Sequence, residues 1–270
     1  MDEALNEILS AALLGVVQGL TEFLPVSSSG HLVLFHSFLG TTGDQVLFDL
    51  VLHVGTLIPV LIVYRADLLG IVRDVFVGEV PWMQRRGVRR LMLMIVGTIP
   101  TGIIGLLLKD TFEQLFSNML SVGIALGVTG FILWSTRYVP QRDQDERTMQ
   151  VWKAVAIGLA QGAAITPGIS RSGSTIAAGL LLGLDRETAA RYSFLLSIPA
   201  ISGAFILKLG DLEGGDVALM PLIVGFFCAA ISGYLALRFL IGLVRRGDFS
   251  RFSWYLWPLS MITIAWVLFA

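Results

Sequence analysis

QGLTEFLPVSSSGH at residues 18–31 returns as QGAAITPGISRSGS at residues 161–174. Gln18 and Gln161, Gly19 and Gly162, Ser27 and Ser170, Ser29 and Ser172, and Gly30 and Gly173 coincide without a gap. Both copies lie inside apolar sequence, and each places proline, glycine and serines where a membrane helix would otherwise continue. The copies differ in the residues that carry charge or protons: Glu22 and His31 in the first, Arg171 in the second. Two helix breaks at corresponding points of a duplicated chain, holding an acid, an imidazole, a guanidinium and hydroxyls, predict one composite polar site.

The surroundings of the two motifs exclude a soluble protein. Of 270 residues, 55% are hydrophobic and 14% charged, against about 25% charged in an ordinary soluble domain. The formal net charge of −1 gives no reason to expect nucleic acid as a partner. Cys228 is the only cysteine, so an intramolecular disulfide is impossible. The opening MDEALNE is acidic and lacks the basic start of a signal peptide. The first apolar segment is therefore expected to belong to the mature protein. One membrane domain is expected, with a first repeat over about 1–137 and a second over about 150–270.

Apolar stretches fall at 8–24, 29–40, 47–64, 91–108, 119–137, 152–166, 172–184, 189–208, 217–240 and 252–270. Six approach the roughly 20 residues that cross a bilayer: 47–64, 91–108, 119–137, 189–208, 217–240 and 252–270. The four short ones pair across the two motifs. They predict two re-entrant helical hairpins, 8–24 with 29–40 and 152–166 with 172–184. With residue 1 outside, the cytoplasmic segments are 65–90, 137–153, 185–191 and 238–251. These contain all but Lys109, Lys208 and Arg171 of the 19 lysines and arginines, which satisfies the positive-inside rule. The two lysines sit at helix ends, where they reach the interface; Arg171 does not. The first half then starts outside and the second inside. The expected fold is an all-α polytopic membrane protein of two inverted repeats, whose broken helices meet near the midplane.

Glu22 is the one carboxylate well inside an apolar segment. Burying it there costs about 2.5–3 kcal/mol or more, which marks it as functional. Gln18 shares its helix face at a spacing of four. Ser27 or Ser29, and Ser170 or Ser172 in the second copy, suit helix N-caps. A helix start that exposes N–H groups at its positive end also receives anions. With Arg171, whose planar fork matches phosphate oxygens, the two tips describe a receptor for a phosphate-like anion. His31 follows Ser28 by three residues, and imidazole serves as base, acid or nucleophile near neutral pH. His36, late in the short helix, and His53, inside a span, are not assigned to catalysis, although His53 could support the site from behind. The histidine spacing fits no metal-ligand motif, while an oxygen-ligated Mg²⁺ or Ca²⁺ at Glu22 and the substrate phosphates is compatible with the residues. Gly15, Gly19, Gly158, Gly162, Gly179 and Gly183 form a four-residue pattern that suits close helix packing.

GVVQGLTEFLPVSSSGH and PGISRSGSTIAAGLLLG resemble the two signature motifs of the undecaprenyl-diphosphate phosphatase family, also called the bacitracin-resistance proteins. The likeness extends along the chain and includes YSFLLSIP at 192–199. It implies a bacterial inner-membrane enzyme that removes the terminal phosphate of undecaprenyl diphosphate, supplying the lipid carrier for peptidoglycan. It also implies catalytic positions at Glu22, Ser28, His31 and Arg171. Ser27, Ser29, Ser170 and Ser172 then line the pocket, with Gln18, Gly30 and Gly173 binding phosphate. Dependence on Mg²⁺ or Ca²⁺ and a site open to the periplasm are further implications. The family's first motif position is Glu or Gln; Gln18 here removes the second carboxylate of a metal cage.

The expected reaction is phosphoanhydride hydrolysis, with charge stabilised by Arg171 and the helix N-termini. The nucleophile is Ser28 activated by His31 and Glu22 in the manner of a triad, His31 itself, or water. The expected partners are a polyprenyl diphosphate and the bilayer, with a homodimer compatible. The competing reading is a lipid-phosphate flippase or anion transporter, because inverted repeats with broken helices also build transporters. The asymmetry between the copies, Glu and His on one tip and Arg on the other, favours the enzyme.

Overall fold

A computed structural model describes residues 2–40, 45–77, 81–140, 142–209 and 218–269. Twelve α-helices follow one another among them: α1 (Asp2–Phe23), α2 (Ser28–Leu39), α3 (Gln45–Val63), α4 (Arg65–Phe76), α5 (Arg86–Leu107), α6 (Lys109–Phe116), α7 (Met119–Ser135), α8 (Val151–Ala163), α9 (Arg171–Leu181), α10 (Arg186–Leu209), α11 (Leu219–Arg246) and α12 (Ser253–Phe269). No strand occurs among the described residues, only a single bridging pair, Gln144 and Leu184.

Among the described residues, seven helices are long and apolar enough to cross a membrane. Six match the segments expected to span to within two residues at the shorter end, with 217 and 270 of those segments lying outside the described residues; the seventh is α1, expected to be shorter. The difference has a simple origin. The apolar run ends at the polar residues 2–7, but a helix continues through them because Glu, Ala and Leu are good helix formers, so α1 reaches 22 residues. The partner helices at the two breaks remain short. α2 has 12 residues, α8 has 13 and α9 has 11, at most about 20 Å each at 1.5 Å per residue. α4 and α6, expected as loop, are amphipathic helices that begin directly after α3 and α5.

Lipid-facing and core-facing surfaces separate cleanly. Ile95, Ile99, Ile103 and Leu106 on α5, and Phe227, Ile231, Leu235 and Phe239 on α11, are more than half exposed along single stripes. Such continuous apolar surface suits contact with lipid. The interior is closed by Phe23, Leu126, Ile157, Ile176, Phe194 and Leu237, all nearly inaccessible.

Small residues set how closely the helices approach. Gly15 lies on Gly225 and Cys228 and Gly19 on Ala229, Ser232 and Gly233, so α1 runs parallel to α11. Gly158 lies on Gly97 and Gly162 on Ile104, so α8 runs parallel to α5 in the same manner. A Cβ at Gly158 would stand 2.0 Å from the Gly97 carbonyl oxygen. Gly183 departs from the packing role expected for it: its φ of 89° places it in a turn after α9, where a Cβ would meet only Gln144, Arg142 and Lys153 side chains, at 3.8–4.0 Å. α7 and α12 run antiparallel, tied by Ser260 Oγ donating to the Gly123 carbonyl (2.6 Å) and Ser253 Oγ to that of Gly130 (2.9 Å).

Candidate active site

The two breaks are in contact. Pro25 stops α1, and the chain turns through 24–26 into Ser27, the one described non-glycine residue with positive φ, at 71°. A left-handed serine of this kind costs about 1–3 kcal/mol and persists only where its surroundings hold it. Ser27 Oγ accepts from the amide of Gly30, capping α2 (3.3 Å), and from the amide of Gly168 on the other tip (3.1 Å). Ser170 Oγ caps α9 by accepting from the amide of Gly173 (3.0 Å). Ser172 Oγ donates to the Leu24 carbonyl (3.4 Å). The second tip is further held by α7: Thr129 Oγ1 donates to the Gly168 carbonyl (2.8 Å) and accepts from the Ser170 amide (3.1 Å). Gly168 makes this close approach with a φ of 94°, and a Cβ there would meet the Val122 carbonyl at 2.6 Å.

Glu22 is the hub of the junction. Its Oε1 accepts from Arg171 Nη2 at 2.6 Å. Its Oε2 accepts from Ser28 Oγ at 2.6 Å and from Gln18 Nε2 at 3.1 Å, with His53 Nε2 at 3.6 Å. A buried carboxylate survives when it is paired and fully bonded, and four residues on four helices supply those partners. Arg171 is left with Nη1 buried and without a partner. Gln18 Oε1 is in the same state.

His31 stands apart from the hub. Its Nδ1–H donates to the Ser27 carbonyl (2.8 Å), and its Nε2 meets Tyr255 Oη at 2.7 Å, with the rings stacked at 13°. The structure thus differs from the triad expected at this site: Ser28 bonds Glu22 directly, and His31 is oriented by Ser27 and Tyr255 rather than by Glu22. The reason is local. Ser28 and His31 both lie in the first turn of α2, and there Ser28 points back toward α1 while His31 points toward α12.

Gln18, Glu22, Ser27, Ser28, Ser29, Gly30, His31, Arg171, Ser170, Ser172 and Gly173 all fall at this junction. Ser29 and Ser172 sit beside the two capping serines, each at 3.3 Å. Tyr255 and Thr129 join them from helices whose local sequence, apolar on both sides, carries no sign of it. His53 comes nearer than its place in a span suggested. His36 bonds Asp49 Oδ1 at 2.9 Å, away from Glu22. For a cation, Glu22 is a poor anchor, because Arg171, Ser28 and Gln18 already use its oxygens. No group of three His, Cys, Asp or Glu residues able to hold a metal occurs among the described residues. The donor set does not fit a cage made by the protein alone.

A multi-pass helical membrane protein with a buried carboxylate, a guanidinium and serines at two touching helix starts is the class this architecture defines. The chain belongs to the family described as bacitracin resistance protein BacA, whose model matches residues 11–262. It is 47% identical to the undecaprenyl-diphosphatase of Halothermothrix orenii over 96% of this chain and 97% of that protein. The undecaprenyl-diphosphatase of Carboxydothermus hydrogenoformans is likewise 47% identical, over 93% and 94% of the two chains. That of Methanosphaera stadtmanae is 42% identical, over 96% and 97%.

Proposed function

We propose that this chain is an integral membrane phosphatase that hydrolyses undecaprenyl diphosphate to undecaprenyl phosphate and inorganic phosphate. In that role it recycles the lipid carrier of peptidoglycan synthesis and confers resistance to bacitracin. The observation that carries the reading is Arg171, which holds Glu22 through Nη2 while its buried Nη1 has no partner. An unpaired buried guanidinium N–H is costly, and a phosphate oxygen beside two helix N-termini satisfies it.

The chemistry follows from the hub. Ser28 Oγ attacks the terminal phosphorus, and its proton moves along the 2.6 Å bond to Glu22 Oε2. The bridging P–O bond breaks, its electron pair leaving with the polyprenyl phosphate. Arg171 and the first-turn amides of α2 and α9 stabilise the charge on the transferring group, the main source of catalysis in phosphoryl transfer. Arg171 stays on Glu22 Oε1 through Nη2 while Nη1 takes the phosphate, and Glu22 accepts the serine proton on Oε2. His31, fixed by Ser27 and Tyr255, stands ready to serve the water that cleaves the phosphoserine. A Mg²⁺ or Ca²⁺ requirement would have to be met chiefly by the substrate's own oxygens, since Arg171, Ser28 and Gln18 already engage Glu22.

The same reading takes residues of about 1–137 and about 150–270 as inverted repeats, with α1–α2 and α8–α9 as the re-entrant hairpins. Three packings support it: α1 on α11 is matched by α8 on α5, and the corresponding helices α7 and α12 lie antiparallel. The arginine and lysine distribution supports a bacterial inner-membrane orientation with the site open to the periplasm.

The test is release of inorganic phosphate from undecaprenyl diphosphate by the purified protein in detergent. Wild type is expected to turn over, and Arg171→Ala to lower kcat by about 10²–10³, as loss of an oxyanion donor does, with its helical circular dichroism unchanged. No release by wild type, or full release by the variant, overturns the reading.

A further inference from the structure

The hub contains a group that the reaction above leaves without a task. His53, on α3, directs its ring nitrogens to two different places. Nδ1–H donates to the Asp49 carbonyl one turn earlier, at 2.7 Å. A carbonyl only accepts, so Nδ1 carries a proton. The remaining nitrogen, Nε2, faces Glu22 Oε2 at 3.6 Å. That oxygen is the one to which Ser28 donates. The serine that loses a proton, the carboxylate that receives it and an imidazole nitrogen able to hold it therefore converge on one atom.

The setting of His53 suits transfer more than packing. Its side chain is 28% exposed, whereas that of Glu22 is 6% exposed. Charged and neutral groups face His53 from several helices. α1 presents Glu22, with Arg171 of α9 on the far oxygen. Its own helix presents Asp49, whose carboxylate is engaged by His36 of α2. α11 meets α3 at Gly55 through Phe226 and Ala229, which do not ionise.

We infer that His53 is a positioning residue that accepts from Glu22 the proton released by Ser28. The inference rests on the phosphatase reading and adds a step to it. When the Ser28 Oγ–P bond forms and the bridging P–O bond breaks, the serine proton passes to Glu22 Oε2 and on to His53 Nε2. Glu22 is left ionised for Arg171 while the phosphoserine stands. When water adds to phosphorus and the P–Oγ bond breaks, Ser28 Oγ regains its proton from His53 through Glu22, and the water's proton, taken up by His31, passes to the departing inorganic phosphate. A neutral amide in place of the imidazole could donate to Glu22 but could not store the proton.

The experiment compares pH–rate profiles for phosphate release from undecaprenyl diphosphate by wild type, His53→Gln and His53→Ala in detergent. His53→Gln, which keeps the size and a donor, is expected to lose at least about tenfold in kcat with KM within twofold. Its profile is expected to lose one ionising limb that wild type shows, and added imidazole to restore part of the rate of His53→Ala. A wild-type kcat and profile in His53→Gln overturns the inference. So does a fall in kcat with both limbs intact, the mark of a structural role. Both results leave the phosphatase reading standing, whereas an inactive wild type removes the two together.

Discussion

Glu22 sits where a carboxylate is hardest to keep. A charge inside a membrane segment costs at least about 2.5–3 kcal/mol, and the protein meets that cost by placing Arg171, Ser28 and Gln18 within 2.6–3.1 Å of it. In the proposed reaction each of these bonds also prepares a step: one holds the phosphate binder, one the nucleophile, one the orientation of the acid. The nucleophile is directly testable. Rapid acid quench of the enzyme with substrate labelled on the terminal phosphate should trap an acid-stable, base-labile phosphoserine. It should vanish in Ser28→Ala and survive in His31→Ala. Label retained by Ser28→Ala would exclude Ser28, and acid-labile label would point to His31. Glu22, Ser28 and Arg171 were legible in the sequence because charge and hydroxyls are rare within apolar runs. The direct Ser28–Glu22 bond and the Tyr255 contact of His31 were not. A side chain's direction within the first turn of a helix depends on the helices that face it.

Elements away from the site carry their own electrostatics. Arg90, on α5, bonds Asp67 of α4 at 2.6 Å and Glu146 of the 142–150 segment at 2.8 Å, joining three pieces on the basic side. Burial raises the pKa of Glu146, and Arg90 offsets only part of the rise. The folded state therefore holds the Glu146 proton more tightly than the unfolded chain does, so this group contributes stability at low pH. That contribution is lost as pH climbs from the ordinary glutamate range through the raised value. Thermal unfolding in detergent followed from pH 4 to 7 should show this decline, and Glu146→Gln should flatten it. An unchanged slope in the variant would refute the assignment. Among the elements themselves, the long spans and the two breaks were legible from apolar length and from Pro25, Pro167 and their serines. The extent of α1 and the helices α4 and α6 were not, because helical hydrogen bonding continues through polar residues that hydropathy counts as loop.

At the scale of the whole molecule, the two halves exchange partners: α1 packs on α11 as α8 packs on α5, and α7 opposes α12. This exchange brings a tip from each half to one point. The arginine and lysine distribution predicts the molecule's sidedness. With Cys228 replaced by Ser, a single cysteine at Asn118 should react in intact spheroplasts with a membrane-impermeant maleimide. One at Gln150 should react only after permeabilisation. The reverse pattern would invert the topology, and equal labelling of both would refute it. The sequence by itself determined that this is a membrane protein broken twice at related places, and that an acid, a guanidinium and serines occupy the breaks. Composition and spacing express the cost of polar groups in lipid, and that cost is local. Only the tertiary structure decided which oxygen of Glu22 meets which partner, that His53 closes on the same atom as Ser28, and that Tyr255 and Thr129 complete the tips. Those are contacts between helices far apart in the chain, and side-chain periodicity along one helix carries no information about the helix that will face it.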